Sequence, residues 1–352
     1  MEVRRDRTYR LRNRQYSDKY LCIANFADTK VTIWRKEENG AGRKAESWYF
    51  FPLGNKEYVI AQLSRGLLLT PNEFKQDATT VWLYKPVPEK MQGQIMQDAG
   101  DGYITLQNGG GSYLTVDNEN RWEVTTYSQL DDHNQRSQHW MLEELDSLPD
   151  VKRAEDIEVH DSIGDVMRLE GFKPPAKRTT REVLVGKTLL PYPLVADRGI
   201  RDPKWQAKNS PYYVLKRYGY WRCVADDEKP GNVEETVKKV VTVGTSKTQA
   251  SSVEETTGIS VTAEAEFKYS GFSAKLSTTI SNELKVSRSQ SATNTTTRED
   301  TQELKFPAGK RTYQALWLRG DRFDLERLDG SVALSWESLD GTSQVRDAWP
   351  KA

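Results

Sequence analysis

Residues 1–145 carry one short pattern three times over, and no other feature of the sequence restricts the fold as much. Each copy opens on a β-type run: Tyr9-Arg-Leu11, Tyr58-Val-Ile60 and Tyr103-Ile-Thr-Leu106. A turn and a second apolar run follow: Lys19-Tyr-Leu-Cys22, Gly66-Leu-Leu-Leu69 and Ser112-Tyr-Leu-Thr115. The opening tyrosines lie 49 and 45 residues apart. Copies one and three close on Glu46-Ser-Trp48 and Gln138-His-Trp140, whose tryptophans stand 39 and 37 residues beyond the opening tyrosines; the second copy has Ile95 at that offset. A four-stranded unit this short cannot bury its own apolar face, whereas three around a pseudo-threefold axis share one core. The spacing predicts a threefold, all-β domain over 1–145 with Trp48, Ile95 and Trp140 inside it.

That arrangement resembles the β-trefoil of ricin-B-type lectins, whose Gln-x-Trp anchor the third copy matches in full. In such pockets an Asp just after the second strand accepts sugar hydroxyls while an aromatic plane stacks on the ring. Here the Asp slots hold Cys22, Thr70 and Thr115, none a carboxylate. Trp34, Trp82 or Tyr84, and Tyr127 remain as stacking aromatics. The usual galactose pocket is therefore not expected. The domain either reads glycans another way or docks on protein.

Composition removes several function classes. The chain has 51 basic and 51 acidic residues, so no net field draws it to nucleic acid. Three His (His133, His139 and His160, without ligand spacing) and two Cys argue against a metal site, and no cofactor is implied. Cys22 and Cys223 read as free thiols. Nucleophile-elbow, zinc-protease, P-loop and dinucleotide motifs are missing from the sequence, and Asn108-Gly-Gly-Gly-Ser112 reads as a hairpin turn rather than a phosphate cradle. An enzyme is not expected. Met1-Glu-Val-Arg-Arg-Asp-Arg7 is not followed by an apolar stretch, so synthesis without a signal peptide is expected.

Residues 146–182 change character. Lys173-Pro-Pro-Ala-Lys-Arg-Thr-Thr-Arg181 is basic and broken by proline, which reads as an exposed linker. Lys173, Lys177, Arg178 and Arg181 are candidate protease sites. From 183 to 352 the chain is β again. The aromatic-dense run Ser210-Pro-Tyr-Tyr-Val-Leu-Lys-Arg-Tyr-Gly-Tyr-Trp-Arg222 reads as a long strand pinned to the rest of this domain.

Within it, residues 242–302 hold 24 Ser or Thr. Apolar residues nevertheless alternate through the middle: Ile259, Val261, Ala263, Ala265, Phe267 and Tyr269, then, after Ser270-Gly271, Phe272, Ala274, Leu276, Thr278 and Ile280. A two-residue turn at 270–271 makes facing residue numbers sum to 541. That register pairs Phe267 with Ala274, Ala265 with Leu276, Ala263 with Thr278 and Val261 with Ile280, all on one apolar face. On the other face Glu266 meets Lys275 and Lys268 meets Ser273. Each arm has about eleven residues, the length of a tilted transmembrane strand (~9–11). Unpaired backbone cannot cross lipid, so many such hairpins must close into a barrel. The expectation is a soluble monomer that oligomerises, with Glu264, Glu266, Lys268 and Lys275 lining the lumen.

Thr188-Leu-Leu-Pro-Tyr-Pro-Leu-Val-Ala-Asp197 and Ser210-Pro-Tyr-Tyr-Val-Leu-Lys-Arg-Tyr-Gly-Tyr-Trp221 resemble the insecticidal binary-toxin family, the Bin toxins and their crystal-toxin relatives. The resemblance implies a β-trefoil followed by an elongated, aerolysin-like long-stranded sheet. It further implies a glycan or protein receptor, homo-oligomers on the target-cell membrane, a second toxin component in some members, and intracellular crystalline storage. The competing reading is a lectin or agglutinin that never inserts, recognised by glycan binding without membrane leakage, or a protein-binding module.

Overall fold

The computed structural model describes residues 3–26, 29–71, 79–84, 93–117, 122–131, 135–200, 202–263, 266–270, 274–288 and 296–351. The chain forms two compact units. The first comprises Met1–Asp156, Leu190–Tyr213 and Gly271–Ser277, and the second Ile157–Leu189, Val214–Ser270 and Thr278–Ala352.

The first unit is a β-trefoil. Its strands are β1 (Arg7–Asn13), β2 (Lys19–Ile23), β3 (Val31–Arg35) and β4 (Trp48–Gly54), then β5 (Glu57–Gln62), β6 (Leu67–Pro71), β7 (Thr79–Tyr84) and β8 (Gly93–Gly100). The third set is β9 (Tyr103–Asn108), β10 (Tyr113–Val116), β11 (Val124–Tyr127) and β12 (Trp140–Ser147). In every copy the first strand pairs with the last: Tyr9 faces Trp48, Tyr58 faces Gln94, and Ile104 faces Trp140. The last strand of each copy also pairs with the first of the next, β4 with β5, β8 with β9 and β12 with β1. Six strands thus close a barrel, and three hairpins cover one end.

Trp48 and Trp140 are fully buried. Their indole N–H groups donate to equivalent carbonyls, Leu21 O at 3.1 Å and Leu114 O at 3.0 Å. In the second copy the core position belongs to Met96, not Ile95. Met96 is 6% exposed and joins the barrel core, whereas Ile95 is half-buried. The aligned anchor is Gln94-Ile-Met96, one residue beyond the offset read from the third copy. The first copy has Glu46 in place of the anchor glutamine. Its fully buried carboxylate lies 2.9 Å from Arg10, whose side chain is 2% exposed. Burial outweighs the attraction of Arg10 and pushes the Glu46 carboxyl up to about 7.

A helix, α2 (Pro149–Glu155, after the short α1, Gly40–Ala45), carries the first unit to Asp156, beyond the boundary at 145 drawn from the sequence. Residues 190–213 also belong to this unit, because their aromatics pack there. Tyr192 and Tyr212 sit edge-on to Phe51 at 5.5 and 5.1 Å, and Tyr49 OH donates to Ala207 O at 2.8 Å. Tyr212 and Tyr213 therefore do not pin the C-terminal sheet, as their density in the sequence suggested.

The second unit is a twisted sheet of long strands: β13 (Val183–Pro191), β14 (Tyr212–Lys229), β15 (Glu235–Gly244), β18 (Thr297–Phe306), β19 (Thr312–Glu326) and β20 (Val332–Trp349), in the order β13-β14-β19-β20-β15-β18. Between β15 and β18 lie α4 (Lys247–Thr257), β16 (Ile259–Val261), β17 (Phe267–Tyr269) and α5 (Ala274–Leu284), the helix α3 (Pro203–Asn209) belonging to the first unit.

The segment read as a free linker is a docked strap. Val166 and Leu169 are buried against Tyr313, Ala315 and Trp317. Leu169 N donates to Asp347 at 2.6 Å and Trp221 Nε1 to Gly164 O at 3.0 Å. Gly219 of β14 admits Ile163 closely; a Cβ there would lie 2.4 Å from Ile163 Cγ2. Downstream, Cys223 N donates to Arg178 O at 2.8 Å and Thr180 N to Trp221 O at 2.9 Å. Prolines excluded regular structure here, but side-chain packing before them and backbone hydrogen bonds after them anchor the segment.

Candidate functional site

The site grows from a ribbon. β15 and β18 pair through ten consecutive residues without a bulge, from Glu235 opposite Phe306 to Gly244 opposite Thr297. One face of β15 is turned inward through Val237, Val241 and Val243, and the other is exposed at Thr236, Lys238, Val240 and Thr242. At the Gly244 end the ribbon joins β20 opposite Leu339. Gly244 is left-handed (φ 90°), and a Cβ there would lie 2.2 Å from Thr296 O, so this exit is closed to other residues. Everything between 245 and 296 is an insert suspended from the ribbon.

The insert does not form the eleven-residue hairpin expected from the alternation. Ile259 faces Tyr269, Ser260 faces Lys268 and Val261 faces Phe267, so β16 and β17 pair in a different register from a hairpin turning at 270–271. Ala274, Lys275, Leu276 and Ile280 lie on α5 and not on a strand. The reason is a shared period. Leu276, Ile280 and Leu284 recur every fourth residue, which suits one face of a helix as well as alternate positions of a strand. All three are buried, while Ala274 and Thr278, which only a strand would align with them, are exposed. Glu264, Ala265 and Phe272 lie outside the described residues.

Local sequence explains the helices. Ser246 caps α4 by accepting from Gln249 N, and Gly258 ends it in the left-handed conformation. The apolar set is hidden: Ile259, Val261, Ala263 and Phe267 are each at most 3% exposed. Phe267 contacts Phe323 at 5.2 Å, which stacks on Trp336 at 4.9 Å. Of the expected lumen residues, Lys268 and Lys275 are exposed and Glu266 is half-buried. A cleft of about 670 Å³ opens between α4, β16 and Thr296. No described helix is long and apolar enough to cross a membrane, which leaves strand crossing untouched.

In the trefoil, Cys22, Thr70 and Thr115 are buried, so the three slots offer no side chain to solution. Trp34 is 49% exposed, opposite Tyr20 on the neighbouring strand, and Tyr127 is half-buried opposite Tyr113. Trp82 and Tyr84 lie on β7, whose side chains are outside the described set. An exposed aromatic that the repeat alignment missed is Trp122. Its ring meets the edge of Tyr16 at 4.8 Å and lies under Lys19 Nζ at 5.3 Å. It falls in the loop before β11, where no strand pattern marks it.

In the strap, Lys173, Lys177, Arg178 and Arg181 are all exposed. Arg178 also pairs with Asp226. Burial opposes ionisation of Asp226, yet hydrogen bonds from Arg178 and Tyr313 hold its carboxyl below the usual range. Both cysteines are buried free thiols, and among the described residues no acidic, His or Cys cluster could hold a metal.

Residues 183–351 match the family described as Insecticidal Crystal Toxin, P42. The chain is 22% identical over 326 residues to the insecticidal crystal protein Cry35Ab1 of Bacillus thuringiensis, covering 91% of this chain and 82% of that protein. The Cry35Ab1 crystal structure superposes with a TM-score of 0.76 at 18% identity, over 99% of this chain and 91% of that one. The two-part all-β architecture is thus shared along the whole length.

Proposed function

We propose that this chain, whose residues 183–351 match the family described as Insecticidal Crystal Toxin, P42, is a toxin that kills by forming pores. On this reading the trefoil holds a glycan or protein receptor on the target-cell membrane. Copies of the chain then assemble, alone or with a second component. Each contributes the insert, converted into one long hairpin, to a transmembrane β-barrel.

The observation that carries the reading is the register of the ribbon. Facing residue numbers in β15 and β18 sum to 541 in all ten pairs. Continuing that ladder through the insert without a bulge brings its turn to Ser270-Gly271. It also pairs Phe267 with Ala274, Ala265 with Leu276, Ala263 with Thr278 and Val261 with Ile280. This is the register that the apolar alternation requires. The phase agrees as well: inward Val237, Val241 and Val243 run on to Ile259, Val261 and Ala263, and a slip of one residue would reverse every side chain. The Ser/Thr-rich stretches 245–258 and 283–296 become a polar stem, and the apolar tips reach lipid. Glu264, Glu266, Lys268 and Lys275 then face the lumen.

The folded insert and the long hairpin differ in register, which makes the test direct. Ser260 faces Lys268 now, but would face Ser281 in the hairpin. A disulfide from Ser260→Cys with Lys268→Cys holds the present pairing, and the native thiols, both buried, stay out of reach. The oxidised protein is expected to remain folded and to release no dye from vesicles of target-cell lipid, and reduction is expected to restore release. Release at the full rate while oxidised would refute the proposal.

A further inference from the structure

We infer that Arg217 is a latch on the insert: its grip on the last turn of α5 sets the barrier to conversion. This rests on the reading of the insert as the converting element, and it names what regulates that element.

A helix leaves its last carbonyls without partners in the helix itself. At the end of α5, Val286 N donates to Ser281 O at 2.9 Å and Lys285 N to Asn282 O at 3.1 Å, the pair of bonds that reverses a chain at a helix C-terminus. Lys285 is left-handed (φ 55°), a conformation that suits glycine better than lysine. The next carbonyls are taken from outside. Arg217 Nη1 on β14 donates to Leu284 O at 3.2 Å and to Lys285 O. The guanidinium cannot wander, because Asp321 on β19 holds it by two parallel bonds, Nε at 2.9 Å and Nη2 at 2.7 Å. Both side chains are buried, at 8% and 1% exposure. The aim of Nη1 is therefore fixed by the sheet, independently of the helix.

A second contact seats the same turn. Gly186 on β13 lies against Leu284, and a Cβ at that position would fall 2.6 Å from Leu284 O. Thr188 on the same strand donates to Glu283. Only a glycine at 186 lets the carbonyl reach Arg217. In the long hairpin Leu284 and Lys285 would pair with Thr257 and Thr256, so both carbonyls must leave Arg217 before the ladder can extend past this point. Departure leaves no buried charge alone, because Arg217 keeps Asp321. The pair stays intact while the helix lets go, which makes it a catch rather than a permanent tie.

Two variants separate the latch from general damage. Arg217→Lys keeps a cation beside Asp321 but loses the fork that aims the third nitrogen at α5. Gly186→Ala leaves the ion pair untouched and pushes Leu284 O out of its notch. The first readout is hydrogen exchange at the amides of 278–286 in the soluble monomer, with no membrane present. The second is the lag before dye release from vesicles of target-cell lipid. Both variants are expected to keep the wild-type circular dichroism spectrum and to speed exchange in α5 by about tenfold to a hundredfold, the worth of one or two charge-assisted bonds. Both are expected to shorten the lag. Unchanged exchange in folded variants would overturn the latch, as would faster exchange with an unchanged lag. If the wild-type protein released no dye under any condition, the pore reading would fall, and exchange in the two variants would still decide whether Arg217 restrains α5.

Discussion

Exchanging adjacent threonines for arginine is the sharpest test of the long hairpin. Thr278 and Thr279 are neighbours on α5, the first exposed and the second half-buried. In the proposed hairpin they separate. Thr278 pairs with Ala263 on the lipid face, one residue from the middle of its arm, while Thr279 pairs with Thr262 on the lumen face. Arg on the lipid face near mid-bilayer costs ~2–4 kcal/mol per strand. That is about 30-fold to several hundredfold for each subunit, and every subunit of the ring repeats it. The cost in the soluble state is small. Thr278→Arg loses the 2.8 Å bond from Arg288, worth about 1 kcal/mol, and gains a few tenths in helix propensity. Val261→Arg would be a poorer probe, since Val261 is 3% exposed and the substitution would unfold the monomer. The assay is thermal melting of each variant followed by dye release at matched concentration. Thr278→Arg should melt within a few degrees of wild type and release nothing, and Thr279→Arg should melt similarly and release dye. Equal loss in both folded variants, or no loss in either, would refute the assigned phase.

Other outcomes follow from the trefoil and the strap. Glu46 has a folded pKa raised to about 7, so the unfolded chain releases its proton first. Its contribution to stability is full at low pH and is lost as pH rises from ordinary carboxylate values through 7. Thermal midpoints measured from pH 4 to 8 should show this decline, and Glu46→Gln combined with Arg10→Met should flatten it. Trypsin should cut after exposed Lys177 and not after Lys173, which proline follows, yet the two pieces should co-elute in size exclusion, because Leu169 on one side and Thr180 on the other stay anchored to the sheet. Pieces that separate would mean that the anchors do not hold. Met96→Ala should lower stability by ~2–5 kcal/mol in chemical denaturation, as a core truncation does, whereas Ile95→Ala should cost less. Glycan arrays should show no galactose preference, and any glycan retained should be lost in Trp34→Ala.

The threefold repeat was legible because an offset of some forty-five residues between like patterns admits few closed architectures. Trp48 and Trp140 could be placed in the core from spacing alone. Their second-copy counterpart could not, because methionine at position 96 and isoleucine at 95 are both apolar and only strand pairing tells them apart. The strap looked free because proline and lysine dominate its surface, while Val166 and Leu169 declare themselves only against a sheet that forms more than a hundred residues later. The insert shows the limit most plainly. Alternation, read alone, specified the phase and turn of a long hairpin, and the ribbon carries that same register. Leu276, Ile280 and Leu284 fit a helix and a strand equally, so local pattern left two states open. Tertiary contacts chose between them: Phe323, itself stacked on Trp336, packs on Phe267, and Arg217 completes the end of α5. Sequence periodicity encodes every conformation whose period it satisfies, and only the surface packed against it decides which one is populated.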